Sequence, residues 1–169
     1  MFKRVPLFIS VLFMLIMSGC AGMGTEGFVN TDCGPDTDMT FKDWRSWNKV
    51  NPTVLLSKGH GDVYVDIYVD DLAKDTYLSA SSPYPKCSRI TKVQYTDKTA
   101  TEVEELGFMV KMPEGYDPEY NDWWYARYDA TGTKVIDSGK MVTVCRTCHE
   151  QASKNDYLFS EKVIAAASK

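Results

Sequence analysis

Apolar and polar side chains alternate along Val63-Tyr64-Val65-Asp66-Ile67-Tyr68-Val69. A two-residue period puts Val63, Val65, Ile67 and Val69 on the buried face of a strand. Further strands are predicted over 88–95, 105–112 and 123–128, each rich in β-branched or aromatic residues, with a shorter one over 133–136. Gly115-Tyr116-Asp117-Pro118 has turn composition and separates the third strand from the fourth. Phe41, Trp44 and Trp47 recur at helical spacing, with Thr40 and Asp43 placed like a capping pair, so a short amphipathic helix with its aromatics in the core is predicted there. A second helix is predicted over 71–80, ended by Ser81-Ser82-Pro83-Tyr84-Pro85. Strands in succession, with helices at the two ends, argue for an antiparallel sheet in an α+β domain.

The first residues follow a different pattern. Lys3 and Arg4 precede an uncharged apolar run over 5–17 and then small residues, which is a secretory signal rather than a folded element. The run is shorter than the roughly 18 apolar residues of a membrane-spanning helix. Met17-Ser18-Gly19-Cys20 resembles a lipobox, so a signal over 1–19 and an acylated Cys20 are expected, with ordinary cleavage nearby or an uncleaved anchor as the alternatives. Residues 20–39 then form a Gly-, Thr- and Asp-rich tether, and residues 40–169 one domain. The expected location is the periplasmic side of a bacterial membrane, or the periplasm itself if the lipobox is not used.

Charge narrows the partners. A net charge of −4, with no basic cluster after the signal, offers nothing for a phosphate backbone, so no nucleic acid is expected. Of five cysteines, Cys33 and Cys87 are either a disulfide closing a loop of about fifty residues or two thiols. Cys145 and Cys148 belong to Cys145-Arg146-Thr147-Cys148-His149, in which one helical turn presents two thiols for thioethers to haem vinyls and an imidazole for iron. A zinc site or redox dithiol is the competing reading. The chain holds only two histidines, and no second Cys-x-x-Cys supplies further zinc ligands. Across the iron, His60 reads as a solvated loop residue, and Met109, Met112 and Met141 are the other candidates. A strand methionine is more often core than ligand, so an open distal face is favoured over a methionine-ligated one.

The haem motif is one of several ordered segments. Before it come Trp47-Asn48-Lys49-Val50-Asn51, His60-Gly61 ahead of Val65-Asp66-Ile67-Tyr68-Val69, Pro85 through Ile90-Thr91-Lys92, Val110-Lys111, and Gly115-Tyr116-Asp117-Pro118 with Asp122-Trp123. After it comes Asp156-Tyr157-Leu158-Phe159. In these segments the chain resembles the cytochrome P460 family, which includes the beta-type cytochromes c′. The resemblance implies an antiparallel sheet packed beside a c-type haem, flanking helices and a C-terminal haem-binding helix.

It further implies that Lys92 is the strand lysine bonded to a porphyrin meso carbon in P460 proper. On a period of two Lys92 shares the face of Ile90; the alternative register turns Arg89, Thr91 and Val93 inward. Lys111 reads as ordinary, because Phe108, Val110 and Met112 supply the buried face. Val65, Ile67, Ile90 and Phe108 are expected to line the distal pocket. Two activities follow from the resemblance: oxidation of hydroxylamine, with or without nitric oxide, to nitrogen oxides, and binding of nitric oxide as a scavenger or sensor. An electron-transfer cytochrome is the third reading. Proton removal from hydroxylamine wants a positioned carboxylate or similar base, which the sequence does not place, Lys140 lying nearest the expected position. The expected partners are a small nitrogen-oxide substrate or gas ligand, a periplasmic electron-transfer protein, the membrane through the lipid, and a second copy of the chain.

Overall fold

The computed structural model describes residues 43–58 and 61–167. Among them, seven strands form one antiparallel sheet: β1 Asn48–Lys49, β2 Leu55–Ser57, β3 Val63–Val69, β4 Arg89–Tyr95, β5 Val103–Lys111, β6 Trp123–Asp129 and β7 Val135–Gly139. Their order is β1-β3-β4-β5-β6-β7, with β2 also pairing β3. Helix α1, Asp71–Leu78, joins β3 to β4; α2, Thr143–His149, and α3, Ser160–Ala167, follow the sheet. The molecule is therefore α+β with an antiparallel sheet, and none of the described helices is long and apolar enough to cross a membrane.

The predicted N-terminal helix is a single 3-10 turn, Trp44–Ser46, because Trp47 is already extended as the chain enters β1. The i, i+3 spacing of Trp44 and Trp47 suits one tight turn as well as a helix. Both tryptophans are buried, while Phe41 lies outside the described residues. Strands β1 and β2 carried no alternation long enough to read. They share one edge of β3, and Asn51 fills the gap between them: its Oδ1 accepts from Ile67 N at 2.7 Å, and its Nδ2 donates to Val65 O at 3.2 Å and Asp66 Oδ1 at 3.0 Å.

Alternation divides the sheet into two covered faces. Helix α1 and the segment after α2 pack on the first, where Val65, Ile67, Val69, Ile90, Met109, Trp123 and Tyr125 form a core with Ala73, Tyr77, Tyr157 and Leu158. The second face buries Val93, Leu106, Phe108, Val110 and Trp124 beneath Trp44 and Trp47.

Two expectations change as a result. Phe108 lies on the second face, edge-on to Trp47 and Tyr128, and does not share a space with Val65, Ile67 and Ile90. Lys111 is not an ordinary exposed lysine: it is buried on the first face and paired with Asp156. Phe108, Val110 and Met112 do supply a buried face, but the opposite face is buried too. Cys87 is disulfide-bonded, whereas Cys33 and Cys20 lie outside the described residues.

Candidate haem-binding site

Helix α2 has no side-chain cap at its N-terminus, Val142 standing there, and its first turn is closed by Arg146 N donating to Val142 O at 3.0 Å. Spacings of three and four residues place Cys145, Cys148 and His149 on one side of this helix. Both thiols are free. Arg146, between the cysteines, folds back instead: Nη1 donates to Lys140 O at 2.8 Å, and the guanidinium lies 3.4 Å from the centre of the Tyr120 ring and 3.6 Å from Asp117 Oδ2. This packing anchors a helix too short to be stable by itself.

His149 is oriented from behind. Its Nδ1–H donates to Tyr157 O at 2.6 Å, which leaves Nε2 as the nitrogen carrying the lone pair. Tyr125 packs edge-on against the imidazole at 5.8 Å between centroids, and Phe159 lies at 5.5 Å. The Tyr157 carbonyl reaches back because Asp156 and Tyr157 both take left-handed backbone conformations, φ 49 and 64.

Opposite the motif stands the first face of the sheet. The register sets Ile67, Lys92 and Gly107 side by side on β3, β4 and β5, and continues through Arg127 of β6 to Asp137 of β7. Lys92 shares the face of Ile90, so Thr91 and Val93 point the other way. Loss of hydration draws the Lys92 ammonium down to about 8, with the thiols of Cys145 and Cys148 and the carboxylate of Glu105 opposing that shift. Burial likewise pushes the Cys145 thiol up to about 11, against the pull of Lys92. Cys145 packs against the first-face core on whose sheet face Lys92 stands, and the two act on each other electrostatically. Lys92 extends over Gly107, where a Cβ would meet its Cε at 3.6 Å, an ordinary contact.

A charged cluster that the sequence did not reveal adjoins Lys92. Arg127 Nε donates to Glu105 Oε1 at 2.9 Å, Nη2 donates to Glu105 Oε2, and Nη1 reaches Asp137 Oδ2 at 3.4 Å. Gln94 Nε2 adds a bond to Glu105 at 3.0 Å. Glu105, Asp137 and Arg127 all act electrostatically on Cys145. The available signal was periodicity: Trp123, Tyr125 and Arg127 alternate on β6, so a cation on the face of two core aromatics needed partners.

Of the remaining candidates, Met109 sits in the first-face core, Met112 on the second face, and Met141 is 69% exposed with its sulfur against Arg146. Lys140 Nζ stands 6.0 Å from the Tyr116 ring centre. His60 lies outside the described residues.

The family model for cytochrome P460 matches residues 41–160. The chain belongs to the cytochrome P460 family. No curated protein matches it. Membership makes this a P460-like cytochrome with a haem cofactor, and the residues present fit such a group. Two free thiols and an imidazole of defined tautomer lie on one helix side, as haem attachment needs. Beside them the Tyr125 hydroxyl and Asp137 Oδ1 are buried with no hydrogen-bond partner among the described residues. Buried polar atoms are rarely left so, and a bound group between helix and sheet would give them partners.

Proposed function

We propose that this chain is an exported haem c protein that oxidises hydroxylamine, alone or together with nitric oxide, to nitrogen oxides. Cys145 and Cys148 form the thioethers, His149 binds the iron through Nε2, and Lys92 is bonded to the porphyrin edge. The observation that carries this reading is Lys92 itself, an amine on a mostly apolar sheet face with the haem motif across from it. A covalent bond to carbon removes a charge that these surroundings disfavour.

The haem, when bound, supplies a redox-active iron at which a small nitrogen ligand can sit. The protein supplies the rest. Val65, Ile67, Ile90 and Met109 form an apolar strip that excludes water beside Lys92. Each electron withdrawn from hydroxylamine leaves with a proton, so the reaction wants an oriented carboxylate with an acceptor oxygen to spare. Asp137 offers one: Arg127 holds Oδ2, and Oδ1 has no partner among the described residues. Glu105 in turn fixes Arg127. The electrons pass to a periplasmic carrier, and a lipid on Cys20 holds the protein at the membrane surface.

The same apolar strip favours a second reading, a nitric oxide binder without turnover. Reduced protein distinguishes the two. A cross-linked haem gives a long-wavelength ferrous band, and Lys92→Met is expected to replace it with an ordinary c-haem spectrum and to abolish hydroxylamine-dependent reduction of an electron acceptor. An ordinary spectrum in the unmutated protein overturns the cross-link. Tight nitric oxide binding without hydroxylamine turnover selects the binder, and a six-coordinate low-spin spectrum in both oxidation states removes both readings in favour of an electron carrier.

A further inference from the structure

Asp156 lies between the haem-binding helix and α3, 3% exposed and in a left-handed conformation. Its Oδ1 accepts from Lys111 Nζ at 2.8 Å, Trp123 Nε1 at 3.0 Å and Asn121 Nδ2 at 3.2 Å. Its Oδ2 accepts from Lys111 Nζ at 2.9 Å and from Tyr84 N at 2.9 Å. These donors belong to β5, to β6 and the turn before it, and to the loop after α1, so one carboxylate ties the post-haem segment to three separate parts of the chain. The next residue is Tyr157, whose carbonyl accepts from His149 Nδ1.

Desolvating a lysine and an aspartate together is costly, and an apolar pair of similar volume would often serve stability as well. What the ion pair adds is a fixed orientation for the peptide that follows Asp156. A histidine ligand whose second nitrogen donates to a rigidly held acceptor gains imidazolate character and becomes a stronger donor to its metal. A stronger axial donor favours ferric over ferrous iron and lowers the reduction potential.

We propose that Asp156 is a positioning residue that acts through the Tyr157 carbonyl to set the donor strength of His149 and so the reduction potential of the haem. Lys111, Trp123 and Asn121 are the arms that hold it. The inference rests on the reading of His149 as the iron ligand.

The test uses the holoprotein and two readouts, the midpoint potential and the iron–histidine stretching band in resonance Raman of the ferrous form. Asn121→Gly removes one arm without altering charge and tolerates the left-handed backbone there, φ 50. Asp156→Asn removes the hub's charge. Asp66→Asn is the control, because Asp66 is an equally buried carboxylate, bonded to Asn51, Tyr95 and Lys49 away from the haem motif. The potential is expected to rise and the stretching frequency to fall in Asn121→Gly, and further in Asp156→Asn, while Asp66→Asn loses thermal stability and moves neither readout. If Asp156→Asn does not fold, Asn121→Gly decides. Unchanged potential and frequency in the variants that fold, with only stability lost, would show a purely structural hub and overturn the proposal. A five-coordinate ferrous wild-type protein with no iron–histidine band overturns the ligand reading first, and the inference with it; in a six-coordinate protein, where that band is silent, the midpoint potential decides.

Discussion

An amine on a half-buried strand surrenders hydration that its neighbours do not fully replace, and at Lys92 this lowers the pKa from its ordinary 10.5 to about 8. The unfolded chain holds its proton up to about 10.5 and the folded chain only to about 8, so between these values the unfolded state binds more protons and stability rises with pH. Below about 8 the burial penalty is present in full. In protein without haem, Lys92→Met is therefore expected to stabilise the fold below pH 8, and the gain to shrink as pH climbs toward 10.5. Urea unfolding of both proteins across that window checks it; a gain that grows with pH would mean that Lys92 is not desolvated. In holoprotein the proposed bond takes Lys92 out of this titration.

Strand β3 shows how one side chain can complete an element. β1 and β2 cover its edge in succession, and the break between them would leave Ile67 N without a ladder partner were Asn51 Oδ1 not there to accept from it. Asn51→Ala orphans the Ile67 N–H in a fully buried site, at a cost of about 1–3 kcal/mol. A fall in the unfolding free energy by that amount, measured by urea unfolding, is expected. No periodicity announces such a residue, because its value lies in groups some fifteen positions away. The longer strands were legible for the opposite reason: β3 through β6 are runs of β-branched and aromatic residues, which is local information, even though burial on both faces leaves no alternation in exposure. Helix α2 was legible through its chemistry, yet its anchoring by Arg146 on Tyr120 was not, since that contact joins distant segments.

At the scale of the molecule, the decisive fact is that both faces of the sheet are covered. Antiparallel sheets often leave one face to solvent, and an alternating pattern is then read as one inside and one outside. Here the first face carries Lys92, the Glu105, Arg127 and Asp137 cluster and Asp156, while the second is an apolar core remote from the haem motif. Phe108→Ala is accordingly expected to cost about 3–5 kcal/mol as a cavity in that second core, lowering the thermal midpoint and leaving the optical spectrum of the holoprotein unchanged. A spectral change of the size produced by Lys92→Met would put Phe108 back beside the haem. By itself the sequence determined the α+β class, the main strands, the attachment motif and the face shared by Ile90 and Lys92, because each depends on residues close together in the chain. Only the tertiary structure decided that Lys111 is buried against Asp156, that Phe108 faces away, and that Glu105 and Arg127 adjoin Lys92. Those depend on which strands become neighbours and what covers each face, and burial of that kind is a property of the assembled sheet.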